Sequence, residues 1–154
     1  MNIWIDADAC PRAIKAVLFK AAERRQITLT LIANQYIPTP RSKVIRSIQV
    51  AQGFDEADNA IVARVSAGDL VITADIPLAA DVVAKGGEAL NPRGLHYTQE
   101  NIRDYLQRRN RSEELRSTGV LLNGPAALDK KDVQTFANAL DRILTKASSS
   151  GINS

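Results

Sequence analysis

The amino-acid sequence predicts an α/β protein, a three-layer α/β/α sandwich around a mainly parallel sheet of five strands in the order 3-2-1-4-5. Short apolar runs alternate with helical patterns over residues 1–91, which is typical of parallel strands joined by crossover helices. Two of these runs end in a carboxylate that is followed by a proline and a helix. Because such crossovers are right-handed, few strand orders are open, and 3-2-1-4-5 is the simplest.

The predicted elements follow one another closely along the chain. The strands are apolar and rich in β-branched residues, and we place them at residues 1–5, 26–33, 47–51, 69–74 and 88–91. The helices carry apolar residues at helical spacing, and we place them at residues 11–25, 55–67, 77–84, 98–116 and 129–146. The chain of 154 residues then predicts one domain over residues 1–147, with a flexible tail at residues 148–154.

The composition excludes several kinds of protein and site. No apolar run approaches the ~20 residues of a membrane span, so we expect a cytoplasmic protein without membrane contact. A single cysteine, Cys10, cannot form an internal disulfide, and a single histidine, His96, excludes the common His-rich zinc sites. We interpret Cys10 as a packed turn residue and His96 as a surface loop residue. Any metal would therefore need oxygen ligands, which favours Mg²⁺ or Mn²⁺.

Carboxylates gather where the predicted strands end. Asp6 and Asp8 follow the first strand, and Asp75 follows the fourth. In the order 3-2-1-4-5 these two strands are neighbours where the winding reverses, and doubly wound sheets bind ligands at that point. The helix after the third strand brings Asp58, with Asp55 at its start. The alternative is structural, because each of these residues could be a turn residue or a helix cap.

The acids favour a divalent cation as cofactor. Several carboxylates in one crevice repel one another, and a cation such as Mg²⁺ or Mn²⁺ removes that cost. The chain has a net charge of +3, and the five acids of this group contribute −5, so the rest of the chain carries +8. An acidic pocket would then lie in a basic surface. This combination suits a polyanionic substrate. We predict catalytic roles for Asp6, Asp8, Asp58 and Asp75, and metal ligation by Asp6, Asp8, Asp55, Asp58 and Asp75.

A basic stretch at residues 36–46 suggests a nucleic-acid partner. Tyr36 can stack on a base, and Arg41, Lys43 and Arg46 can contact phosphates, although a solvated connection explains the same residues equally well. The helix at residues 98–116 adds four arginines, namely Arg103, Arg108, Arg109 and Arg111. The partner we expect is single-stranded RNA, and the predicted binding residues at the sheet edge are Asn34, Tyr36, Arg41, Lys43, Arg46, Thr73 and Arg93. The oligomeric state is open, with a homodimer as one option.

Several motifs together resemble the YaiI/YqxD family of uncharacterised bacterial proteins. They are IWIDADACP at residues 3–11, GFDEADN at 53–59, DLVITADIPLA at 69–79, ALNPRG at 89–94 and FANAL at 136–140. The fold of that family is similar to that of the PIN-like nucleases, whose sheet carries an acidic metal cluster. By this resemblance Asp6 matches the acid of the first strand, Asp75 that of the Thr-x-Asp turn and Asp58 that of the central helix. Asp8 and Asp55 belong to the family's own pattern.

Three functions are compatible with these residues. The first is a Mg²⁺- or Mn²⁺-dependent nuclease acting on RNA. The second is a phosphatase similar to haloacid dehalogenases, in which Asp6 would be the nucleophile and Asp8 the acid/base. Against it, Cys10 stands where that pattern has Thr or Val, and there is no room for a cap domain. The third is a noncatalytic module that binds nucleic acid or neutralises a toxin.

Overall fold

A six-stranded sheet forms the centre of the computed structural model, which describes residues 1–52, 56–107 and 129–152. The strand order is β3-β2-β1-β4-β5-β6, and every neighbouring pair is parallel except β5 and β6. The α/β class and the order 3-2-1-4-5 are thereby confirmed, with one strand more than predicted. The strands are β1 Asn2–Asp6, β2 Thr28–Ala33, β3 Ile45–Gln49, β4 Leu70–Ile72, β5 Glu88–Leu90 and β6 His96–Tyr97.

Helices connect the strands and cover both faces of the sheet. They are α1 Arg12–Arg25, α2 Glu56–Arg64, α3 Ile76–Ala84, α4 at residues 102–107 and α5 Lys130–Ile152. A short 3-10 turn, Ala7–Ala9, separates β1 from α1. No helix among the described residues is long and apolar enough to cross a membrane.

Alternation along the strands divides the core between the two faces. On one face, Ile3 and Ile5 of β1 share a cluster with Leu18 of α1 and with Phe136 and Leu140 of α5. On the other face, Ile32 and Val71 pack against α2 and α3 through Ile61, Leu78 and Val82. All of these side chains are at most 2% exposed. A third cluster at the β5 side adds Tyr97, whose ring meets that of Tyr105 edge to face. The result is the predicted three-layer arrangement.

Some predicted boundaries are wrong. Strand β3 begins at Ile45, which is 5% exposed, so Arg46 belongs to an edge strand and not to the preceding loop. His96 is also not a loop residue, because it pairs with Leu90 in the antiparallel β6. A two-residue strand is too short to leave an apolar pattern in the sequence. Helix α5 continues past the predicted end at Lys146 to Ile152, and the flexibility of the tail stays a prediction.

Two predicted features lie outside the described residues. One is Asp55, which the sequence places at the start of the second helix. The other is the part of the chain from residue 108 to residue 128, which contains Arg108, Arg109 and Arg111. The bounds of the single domain are likewise still a prediction.

A buried carboxylate, Asp69, ties β1 to β4 at the amino ends of the strands. Its Oδ1 accepts the backbone N–H of Asn2 at 3.0 Å, and its Oδ2 accepts the indole N–H of Trp4 at 3.1 Å and the backbone N–H of Ser66 at 3.0 Å. Asp69 is 5% exposed. Charged acceptors with several donors make strong hydrogen bonds, so Asp69 stabilises the central strand pair.

We predict that Asp69→Ala lowers the free energy of unfolding by about 2–4 kcal/mol, because three donors lose their acceptor in a partly buried place. Urea denaturation would measure this loss. The matched control is Asp81→Ala, which removes the same charge from an exposed position of α3 and should change the free energy by no more than about 0.5 kcal/mol. Equal effects of the two substitutions would contradict the structural role of Asp69.

Candidate functional site

Asp6 is the last residue of β1 and lies at the point where the winding of the sheet reverses. Its side chain is only 9% exposed. The hydroxyl of Thr73, which follows β4, donates a hydrogen bond to Oδ2 of Asp6 at 3.2 Å. The adjacent ends of β1 and β4 are thus joined directly through these two side chains, as the strand order predicts.

Thr73 also links Asp6 to Asp75. Its Oγ1 accepts the backbone N–H of Asp75 at 3.0 Å. Asp75 is the N-cap of α3, where its Oδ1 accepts the N–H of Leu78 at 2.9 Å and Pro77 lies in the first turn. Capping uses one carboxylate oxygen, so the other oxygen of Asp75 is available at the sheet edge.

Asp8 connects the same edge to β2. It lies in the 3-10 turn, is exposed, and its Oδ2 accepts the backbone N–H of Asn34 at 2.8 Å. Asn34 directly follows β2, which pairs in parallel with β1, so Asn34 lies at the same edge as Asp6, as predicted. A direct contact between Asn34 and nucleic acid stays a prediction.

Burial raises the pKa of Asp6 above its ordinary value near 3.8, because the ionised carboxyl loses water. The hydrogen bond from Thr73 lowers the pKa by a smaller amount, and the charges of Asp75 and Asp8 raise it further. Asp75 and Asp8 are therefore each close enough to Asp6 to disfavour its charged form. The ionised form of Asp6 is held in the fold at a cost in free energy.

The contrast with Asp69 shows that hydrogen bonding does not offset this cost. Both carboxylates are buried and both join β1 to β4. Asp69 accepts three hydrogen bonds, whereas Asp6 accepts one, from Thr73, within the described residues. A buried carboxylate with so few donors is typical of a functional position, because a purely structural role would be met better by a neutral side chain.

A fourth carboxylate comes from helix α2. Asp58 lies half-buried in the first turn of α2, where it benefits from the helix dipole. Among residues 1–52, 56–107 and 129–152, no three or more Asp, Glu, His or Cys side chains are grouped closely enough to hold a metal ion. Asp55 lies outside these residues, so metal ligation by all five acids stays a prediction.

Besides Asn34, the predicted nucleic-acid residues fall into two groups. Tyr36, Arg41, Lys43 and Arg46 are exposed, and Tyr36 is 74% exposed. They leave a basic, accessible surface around β3, and their contact with nucleic acid stays a prediction.

Thr73 and Arg93 are instead engaged within the protein. Thr73 is 2% exposed, and its hydroxyl holds Asp6 and Asp75 together, a role that the sequence interpretation did not assign. In the sequence, the spacing of Thr73 and Asp75 was the signal that could have indicated this role.

Arg93 contacts helix α5. Its guanidinium donates to Asp132 at 2.9 Å. Gly94 packs so tightly on Thr135 that a Cβ atom at Gly94 would lie 2.8 Å from the methyl group of Thr135. Arg93 thus helps to dock α5 on the sheet.

Neither Cys10 nor His96 forms a nucleophilic site. Burial raises the pKa of the Cys10 thiol to about 12, and the nearby charge of Lys15 lowers it by less. The thiol therefore stays protonated and unreactive at neutral pH, in agreement with a structural role. Nε2 of His96 lies 3.8 Å from Oε1 of Glu88, at the amino end of β5. That end of the strand faces away from the carboxyl edge on which Asp6 lies.

These features define an α/β protein in which a buried carboxylate, Asp6, lies near two others, Asp75 and Asp8, at the switch point of its sheet. The chain belongs to the YaiI/YqxD family, because residues 4–146 match the family described as "Uncharacterized BCR, YaiI/YqxD family". The resemblance in the sequence motifs is thereby confirmed.

Relatives from several bacteria cover nearly the same length. The UPF0178 protein of Halorhodospira halophila is 59% identical over 151 residues, which is 98% of this chain and 100% of the relative. The UPF0178 protein of Janthinobacterium sp. is 56% identical over the same shares of the two chains. That of Shewanella amazonensis is 60% identical over 146 residues, 95% of this chain and 98% of the relative. No solved structure matches the chain, so likeness to PIN-like nucleases stays a prediction.

We predict that Asp6→Asn raises the melting temperature of the protein in metal-free buffer at neutral pH. Asparagine keeps an acceptor for Thr73 and removes a desolvated charge. The pKa of Asp6 is raised in the folded state, so below about pH 3.8 the carboxyl is protonated in both states and its burial costs no stability. The loss of stability grows as the pH rises from there to the folded pKa, and it is complete above that pKa. The advantage of Asp6→Asn should therefore shrink as the pH is lowered towards 4. A melting temperature that falls at pH 7 would contradict the unfavourable burial of this charge.

Proposed function

We propose that this protein is a divalent-metal-dependent nuclease that cleaves single-stranded RNA in the cytoplasm, with Mg²⁺ or Mn²⁺ as its cofactor. The observation that carries the proposal is the burial of the Asp6 carboxylate at the switch point, next to Asp75 and Asp8, with one hydrogen bond to offset it. A group held at such a cost in a ligand-binding crevice is expected to act in function.

The donor set fits such a cation. Mg²⁺ is commonly held by one or two carboxylates, and water and substrate phosphates occupy its remaining positions. Asp6 and Asp75, joined through Thr73, supply two carboxylates on adjacent strands. We propose Asp58 and Asp55 as further ligands from the side of α2. The absence of a closer group among the described side chains is compatible with a cation that completes its shell with phosphate oxygens.

Each residue then has a distinct part in the reaction. When bound, the cation supplies a Lewis acid that neutralises charge on the phosphodiester. Asp6 and Asp75 would hold it, and the Thr73 hydroxyl would position the Asp6 carboxylate against the backbone of Asp75. Asp8 is exposed, and its Oδ2 accepts the backbone N–H of Asn34. Its other oxygen can therefore orient the attacking water. The exposed Arg41, Lys43 and Arg46 attract the phosphate backbone.

We predict that Mg²⁺ or Mn²⁺ at a concentration of about a hundred times its Kd raises the melting temperature by about 5 °C or more, because the cation binds only the folded state. Asp6→Asn should abolish this rise. Asp81→Asn, which removes a charge from the exposed side of α3, should retain it. Melting temperatures that do not respond to millimolar metal would count against the cofactor.

We predict that the wild-type protein cleaves a labelled single-stranded RNA with Mn²⁺, and that Asp6→Asn and Asp75→Asn each reduce the rate about a hundredfold or more. Asparagine caps helices as well as aspartate does, so Asp75→Asn tests the carboxylate without removing the cap of α3. Asp8→Asn should cost less, since its amide oxygen can still accept from Asn34. Asp81→Asn is the charge-matched control and should cleave normally.

The same variants separate the nuclease from the two other functions. In a phosphatase, Asp6 would become phosphorylated and Asp8 would protonate the leaving group, so Asp8→Asn would be nearly as severe as Asp6→Asn. Turnover of a phosphate monoester with a trapped phosphoenzyme would therefore overturn the nuclease. RNA binding without cleavage of RNA or a monoester would indicate the noncatalytic module.

A further inference from the structure

A groove of about 350 Å³ lies beside the acidic edge, between α1 and the segment that follows β2. One wall is a stripe along α1, because residues three or four positions apart share a helix face. The other wall comes from the chain just after Tyr36. The lining residues are Arg12, Lys15, Ala16, Phe19, Ile37 and Pro38, and we call this feature the α1 groove.

The apolar part of the α1 groove is fixed to the core of the protein. Phe19 and Ile37 are half-buried and pack against the core cluster that contains Ile3 and Ile5. Pro38 is exposed and has a restricted backbone. The groove therefore offers a flat aromatic and aliphatic surface that loses little conformational entropy when a ligand binds.

The charged part of the groove is positive and unpaired. Arg12 is exposed and Lys15 is half-buried, and neither forms an ion pair within the described residues. Three other grooves among the described residues are lined by both acidic and basic side chains. Between α1 and α5, for example, Arg25 donates to Asp141 at 2.7 Å. The α1 groove thus combines two available cations with an apolar surface and has no carboxylate in its lining.

Both walls of the groove start at the candidate active site. The hydrogen bond from the Asn34 N–H to Asp8 joins the two chain segments at 2.8 Å. Arg12 follows Asp8 by four residues, and Ile37 follows Asn34 by three, so each Cα is at most about 15 Å along the chain from this link. The charge of Lys15 also acts on the Cys10 thiol, in the turn between Asp8 and α1. The groove walls therefore begin near the hydrogen bond between Asn34 and Asp8.

We propose that the α1 groove is a nucleotide subsite that holds one nucleotide of a single-stranded RNA next to the scissile bond. Its base lies against Phe19, Ile37 and Pro38, and its phosphate is bound by Arg12 and Lys15. Tyr36, at the end of the groove wall and 74% exposed, stacks on the neighbouring base. This subsite rests on the proposed function. The spacing of Arg12, Lys15 and Phe19 on one helix face is visible in the sequence, although the opposing wall is not.

The test measures binding separately from cleavage. Fluorescence anisotropy of a labelled oligouridylate would be recorded without divalent metal for the wild type and for Arg12→Ala/Lys15→Ala. We expect the double variant to bind about tenfold or more weakly, and its slope of log K against log salt to fall by about 0.7 for each lost phosphate contact. The control is Lys20→Ala/Arg24→Ala, with the same charge change on exposed residues further along α1, and it should bind nearly as the wild type does.

A second variant and a direct readout test the base contact. Phe19→Leu keeps an apolar side chain in the core and removes the stacking surface, so it should weaken binding with the salt slope unchanged. Photocrosslinking of a thiouridine oligonucleotide should label the peptides that contain Phe19 or Tyr36. The base contact would be overturned if folded Phe19→Leu bound the RNA with normal affinity and the crosslinks fell on peptides without Phe19 or Tyr36.

The outcomes separate the subsite from the nuclease. If Arg12→Ala/Lys15→Ala loses affinity but the wild type cleaves nothing, the subsite stands and the proposed function fails. If the wild type cleaves RNA and the double variant matches the Lys20→Ala/Arg24→Ala control, the subsite fails and the function stands. A wild type that does not bind RNA, or that binds polyglutamate through Arg12 and Lys15 instead, overturns the subsite.

Discussion

The pairing of β1 with β4 is the contact on which the rest of the structure depends. It sets the point where the winding reverses, since β2 and β3 extend the sheet on one side and β5 and β6 on the other. Residues Ile3, Trp4 and Ile5 pair with Leu70, Val71 and Ile72, so the register also fixes which side chains leave the sheet together. A shift of one residue would separate Asp6 from Thr73 and turn the core residues of β1 to the wrong face.

The two ends of this strand pair use carboxylates in opposite ways. At the amino end, Asp69 is surrounded by donors from Asn2, Trp4 and Ser66 and strengthens the pair. At the carboxyl end, Asp6 remains nearly unsolvated beside other acids, and the hydroxyl of Thr73 compensates only in part. The fold can hold an unfavourable charge at one end because the other end of the same pair is well satisfied.

The sequence predicts the fold well because its signals are regular. Runs rich in apolar and β-branched residues mark β1, β2 and β4. The repeated arrangement of strand, aspartate, proline and helix places Asp6 and Asp75 at one edge. Local signals fail where tertiary contacts decide the structure. The edge strand β3 contains an exposed charge, Arg46, so the sequence pattern places its start two residues too late. Strand β6 forms because β5 offers it an edge for pairing.

The candidate site is predictable only in part, for a similar reason. Spacing identifies the acids, but it does not show that Thr73 binds both Asp6 and Asp75 through one hydroxyl, or that Arg93 is engaged by Asp132. Those contacts join residues that come from different elements. The lining of the α1 groove has the same origin, because Phe19 and Ile37 meet only after β2 has paired with β1.

The placement of α5 has a consequence for the order in which the molecule can form. Ile3 and Ile5 of β1 share a core cluster with Phe136 and Leu140, which come from the other end of the sequence. During synthesis β1 is made early, and α5 is the last of the described elements. Until α5 is made, one face of β1 therefore lacks its packing against Phe136 and Leu140. Such distant contacts slow folding, and the incomplete chain exposes an apolar sheet face that favours aggregation. The nascent protein is therefore expected to need protection by a chaperone until α5 has left the ribosome.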